Sequence, residues 1–147
     1  MTARNRRPRG VIVVAALLLF AAVMIPVYWI SFFSGSGHIT EEKCYLTFEY
    51  AFPAADAWMA IACFLGCVGL LARKQWGVLF ALLGGSAGIF LGLMDLLFDL
   101  QYGTFLRYSL ASGEVATELA ILLLLLILGP FVIWYVWTRR ESLLKES

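Results

Sequence analysis

WGVLFALLGGSAGIFLGLMDLLF, residues 76–98, is the stretch whose reading decides the fold. No charged side chain interrupts it before Asp95. As a helix rising about 1.5 Å per residue it reaches across a hydrocarbon core of roughly 30 Å. Gly84, Gly88 and Gly92 recur every four residues, a double small-xxx-small pattern that lets another helix backbone approach closely. Asp95 and Asp99 continue the same face. Measured from Gly84, Gly88 lies at about 40°, Gly92 at about 80°, Asp95 at about 20° and Asp99 at about 60°. One stripe thus joins a tight helix contact to a pair of carboxylates. It belongs inside a bundle, because lipid-facing positions tolerate only apolar groups. Its mate is a helix of this chain or of a second subunit.

Working outward, three further apolar runs cover about 10–33, 53–72 and 115–137. The chain has 147 residues and is 62% hydrophobic, above the roughly 45–50% of soluble domains. The expected class is an all-α membrane protein. One domain, 1–147, carries four transmembrane helices in an antiparallel bundle, with no room for a separate soluble module.

Charge sets the expected orientation. Arg4, Arg6, Arg7 and Arg9 precede the first run, Arg73 and Lys74 join the second to the third, and Arg139, Arg140 and Lys145 follow the fourth. Only Lys43 and Arg107 lie on the other side. The positive-inside rule then puts both termini in the cytoplasm of a multi-pass cell-membrane protein. The first run, at about 23 residues, exceeds the 7–15 of a signal-peptide core and is expected to stay as an uncleaved helix. The four N-terminal arginines suit anionic lipid, and nucleic-acid binding is not expected.

The acids segregate oppositely. Glu41, Glu42, Glu49, Asp56, Asp95, Asp99, Glu114 and Glu118 fall at the outer end, and Glu141 and Glu146 at the inner. Asp56 and Glu114 sit in first helical turns, where the helix dipole favours negative charge. Asp56, Asp95, Asp99 and Glu118 come from three helices and should meet in the outer half of the bundle, with Asp95 the best buried. Carboxylates at close range in low dielectric cannot all ionise cheaply. Three compensations are open. Arg107 can serve as counter-ion. A hard metal ion can bind to oxygen ligands. The acids can also hold protons.

The loops and remaining residues add less. Lys43–Tyr50 is rich in aromatic and β-branched residues, which predicts a short extended segment. Paired with the loop around Tyr102–Ser109, it would form a small outer cap. Pro26 and Pro130 predict kinks. Tyr28, Trp29, Phe32 and Phe33 suit the outer interface, and Trp76, Trp134, Tyr135 and Trp137 the inner one. Cys63 and Cys67, at i and i+4 in one helix, read as small packing residues, and Cys44 is alone in the outer loop. His38, the single histidine, reads as a loop residue and excludes bis-histidine haem. No cofactor is expected. Gly84-Gly85-Ser86-Ala87-Gly88 follows no strand and is no phosphate loop.

Three function classes follow. The first is a binding or transport protein taking a cation, a proton or an amine-bearing ligand at Asp56, Asp95, Asp99 and Glu118. The second is an accessory or assembly subunit. It would associate with itself or with a larger membrane protein through Gly84, Gly88 and Gly92, using the outer aromatic loop as well. The third, more distant, is a lipid-modifying enzyme with carboxylates as general acid and base.

Overall fold

A computed structural model of the chain describes residues 9–144. Arg4, Arg6, Arg7, Lys145 and Glu146, all used in the charge count above, lie outside the described residues. The described chain is helical, in the order α1 Arg9–Phe33, α2 Lys43–Glu49, α3 Pro53–Leu71, α4 Gln75–Tyr102, α5 Thr104–Arg107 and α6 Gly113–Leu144. Four stretches are long and apolar enough to cross a membrane: α1, α2 with α3, α4 and α6.

Local chemistry explains the boundaries. At the end of α1, Gly35 takes φ 82°. Its N–H reaches the Phe32 carbonyl at 2.9 Å and the Ser36 N–H reaches Ser31 at 3.3 Å. This pair of bonds is the glycine-capped ending that satisfies the last carbonyls of a helix. Pro53 opens α3, where a missing N–H costs nothing. The turn from α3 to α4 is only three residues. Arg73 sits at φ 55° there, and the Lys74 N–H closes back on Gly69 at 2.9 Å. Gly103, at φ 78°, ends α4 and starts α5. The Ser112 hydroxyl accepts the Val115 N–H at 3.3 Å and caps α6.

No strand occurs among the described residues, so the extended outer segment is a misreading. Lys43–Glu49 is the helix α2 and Thr104–Arg107 is the helix α5. Tyr45, Phe48, Glu49 and Phe52 recur at i, i+3, i+4 and i+7, which is the helical period. Burying that face outweighs the β propensity of the individual residues. Phe48 stacks on Phe98 at 3.8 Å between centroids, and Phe98 stacks on Tyr102 at 5.3 Å.

The packing order is α1 on α3, α3 on α4, and α4 on α6, with α1 and α6 only weakly in contact. Glycines set the α3–α4 spacing. The backbones of Gly69 and Gly77 touch, Gly66 lies on Ala81, and Gly84 lies on Cys63. On the α6 side, Gly85 and Gly129 face each other, and Gly92 lies against Leu125 and Leu126. Gly88 stands between Met59 and Leu125. The Gly84/Gly88/Gly92 stripe is therefore seated on α3 and α6 of the same chain. α4 runs four residues past Phe98, and α6 seven past Trp137. Pro26 and Pro130 both lie inside continuous helices.

Candidate functional site

The ends of α1, α2 and α4 and the starts of α3 and α6 bring five carboxylates together. Each of Glu49, Asp95 and Glu118 lies within electrostatic reach of several of the others, and Asp56 and Asp99 complete the group. All four sequence candidates, Asp56, Asp95, Asp99 and Glu118, are in the cluster. Glu49 is the member the sequence reading left in a loop. It is only 5% exposed, because α2 turns it onto the same inner face as Tyr45.

The five acids divide by how they are held. The Trp29 indole N–H donates to Asp56 Oδ2 at 2.8 Å and ties α1 to α3. The Thr104 hydroxyl donates to Asp99 Oδ1 at 2.7 Å and ties α5 to α4. The Tyr28 hydroxyl reaches Glu49 Oε2 at 3.4 Å, at the long end for such a bond. Asp95 and Glu118 accept no hydrogen bond among the described residues, and both are half-buried. Burial also differs from expectation. Asp99, at 1% exposure, is the best-buried acid and Asp95 is not. The short helix α5 folds over the end of α4 and covers Asp99, while Asp95 stays open one turn deeper. Asp99 Oδ2 is buried without a partner.

Arg107, the expected counter-ion, forms no ion pair with the clustered acids among the described residues. Its side chain is exposed and its guanidinium lies over the Tyr102 ring, 4.8 Å from the centroid. The start of α5 contacts the cluster through Thr104, whereas Arg107 at its end lies over Tyr102 instead of the acids. Arg107→Gln is accordingly expected to cost no more than about 1 kcal/mol, the worth of an exposed cation–π contact. It should also show no coupling to Asp95→Asn in a double-mutant melting series. A coupling above about 0.5 kcal/mol would place the guanidinium back among the acids.

No three acid, histidine or cysteine side chains among the described residues converge as a metal ion requires. The outlying acids are occupied elsewhere or exposed. Glu42 accepts the Tyr102 hydroxyl at 2.7 Å, Glu41 pairs with His38 at 2.8 Å, and Glu114 is exposed in the first turn of α6. The His38 ring also packs on Phe32 at 4.3 Å. Cys63 and Cys67 are buried and unbonded, and Cys44 is exposed.

Below the acids lies a small apolar crevice of about 40 Å³. Leu17, Leu18 and Ala21 of α1 form one wall and Leu125 and Leu128 of α6 the other, over Gly88. Comparison with known protein families, curated proteins and solved structures finds no match.

Proposed function

We propose that this chain is a multi-pass integral membrane protein whose four spans form an antiparallel bundle. Its outer carboxylate cluster binds a cation, a proton or an amine-bearing ligand. The division of the acids carries the reading. Asp56 and Asp99 are fixed by short hydrogen bonds and Glu49 by a long one, whereas Asp95 and Glu118 are unbonded and half-buried. None of the five has a basic partner among the described residues. Negative charge in that setting calls for a bound cation or bound protons. Since no metal-type cage is present among the described residues, a small ammonium or a proton suits the site better than a divalent ion, which takes six or more oxygens in the case of Ca²⁺.

The site fits binding better than conduction. Below Tyr28, Asp56, Asp95 and Glu118 the spans carry no acidic or basic side chain until Arg9, Arg73, Lys74 and Arg139. The crevice on that route has an apolar wall. A charge therefore meets no relay deeper than the acids.

Melting of the purified protein in neutral detergent tests this. Propylammonium is expected to raise the melting temperature saturably in wild type, since a ligand of the folded state stabilises by mass action, about 2.7 kcal/mol at a hundred times Kd. Asp95→Asn and Glu118→Gln should abolish the rise. If propylammonium, sodium, calcium and protons all leave the wild-type melt unchanged, the reading falls.

The segregation of basic residues supports an outer position for the cluster. An impermeant maleimide should label Cys44 on intact cells while the buried Cys63 and Cys67 stay unmodified. Labelling of Cys44 only after lysis would reverse the orientation and put the cluster on the cytoplasmic side.

The accessory-subunit reading draws on Leu106, 94% exposed on α5, with Leu110 and Tyr50 exposed nearby in sequence to the outer helices. A smaller native mass for Leu106→Ser than for wild type after mild extraction would favour it.

A further inference from the structure

Asp95 and Glu118 each stand seven residues from a lining residue of the apolar crevice, Gly88 on α4 and Leu125 on α6. Seven residues return a helix to within about 20° of the same face and rise about 10 Å. The two unbonded, half-buried acids and the crevice therefore lie one above the other along the same two helices. Between α1 and α6 the packing is weak, although the Gly10 backbone meets Tyr135 near one end. Both helices line the crevice, α1 through Leu17, Leu18 and Ala21 and α6 through Leu124, Leu125 and Leu128. Asp99 adds a second, independent observation. Its Oδ2 is buried and unpartnered, within electrostatic reach of Glu49, Asp95 and Glu118.

We propose that the ligand class of the acidic site is an amphiphilic amine. Its ammonium head is held by Asp95 and Glu118, and its hydrocarbon tail lies along the α1–α6 seam into the crevice beside Ala21, Gly88 and Leu128. The inference rests on the cation-binding reading and extends it to the tail. An ammonium offers three donors and a compact charge, which matches two unbonded carboxylates and needs no metal cage. The crevice, at about 40 Å³, exceeds the roughly 10–15 Å³ that one water needs. It is apolar, so it takes methylene groups in preference to water.

The test compares propylamine with decylamine on the protein in neutral maltoside micelles, with decanol as an uncharged control. Partition of the tail into the micelle is common to every variant, so only differences between variants are read. In wild type, decylamine should stabilise at far lower concentration than propylamine, and decanol should not stabilise. Ala21→Phe and Leu128→Trp fill the seam from opposite walls. Both should keep the propylamine response and bind decylamine about tenfold more weakly, as expected for losing one or two buried methylenes. Asp95→Asn should lose both amines. If Ala21→Phe does not fold, Leu128→Trp alone decides the point, since it adds bulk to a half-buried position. Propylamine binding with an undiminished decylamine preference in the filled variants overturns the tail assignment and leaves the cation site standing. Failure of both amines in wild type, with sodium, calcium and protons also silent, overturns the cation site itself.

Discussion

Gly77→Ala should lower the melting temperature of the purified protein by roughly 4–12 °C. Overpacking costs about 2–3 kcal/mol at the upper end of its range, and each kcal/mol shifts a chain of this size by about 2–4 °C. A Cβ at Gly77 meets the Gly69 backbone and the Leu70 nitrogen, and one at Gly69 meets the Gly77 backbone and, at 2.6 Å, the Trp76 ring. Main chain faces main chain here, so no flexible side chain can yield. The helices α3 and α4 must separate, and the connecting turn of three residues leaves them little freedom to do so.

Gly88→Ala is the matched control. Its Cβ meets Met59 Sδ at 3.4 Å and Leu125 Cδ2 at 3.5 Å, which are ordinary contacts. Alanine also gains up to about 1 kcal/mol of helix propensity over glycine. The variant is expected to melt at or above the wild-type temperature. A Gly77→Ala protein that melts like Gly88→Ala would show that the α3–α4 crossing is looser than its backbone contact.

The contrast between these two glycines marks what was legible in the sequence. The Gly84/Gly88/Gly92 repeat stood out because four-residue spacing is visible in one dimension. The closest approach, Gly69 on Gly77, joins one glycine from each of two helices. Gly77, Ala81 and Gly85 also recur every four residues, but Gly69 has no such partner in α3, so the crossing geometry is what pairs the two. The four apolar spans were legible because length and hydropathy suffice for them. The α2 helix was not, since residues such as Tyr45, Thr47, Phe48 and Tyr50 carry strand propensity while their period is helical. Period should have prevailed, because burial of a face decides structure more strongly than propensity. The same error left Glu49 out of the acid cluster. Four of the five clustered acids were nonetheless legible from position alone. The depth order of Asp95 and Asp99 was not, because it depends on α5 folding over the end of α4. The detachment of Arg107 has the same origin: Gly103 turns left-handed there, Thr104 at the start of α5 meets Asp99, and Arg107 at its end lies over Tyr102.

That α4–α5 corner carries the second large effect. Thr104→Val should destabilise the protein by about 1.5–3 kcal/mol, the usual worth of a hydrogen bond to a charged group. Thr104 is fully buried and Asp99 is 1% exposed, so no solvent can replace the lost donor. Oδ2 already lacks a partner, and the substitution leaves the whole side-chain carboxylate without a donor. Valine keeps the shape of threonine, so cavity formation does not confuse the result. Thr104→Ser should recover most of the loss, because it restores the hydroxyl. Asp99→Leu combined with Thr104→Val should cost less than the sum of the two single changes, since both ends of the bond are then apolar and no buried charge is stranded. Strict additivity would mean that Thr104 and Asp99 do not depend on each other. The ligand response separates this bond from the binding groups. With Asp95 and Glu118 as the contacts, Thr104→Val should retain the propylammonium-induced rise in melting temperature from its lower starting point. Loss of that rise in a folded Thr104→Val protein would move Asp99 from the supporting acids to the contacting ones.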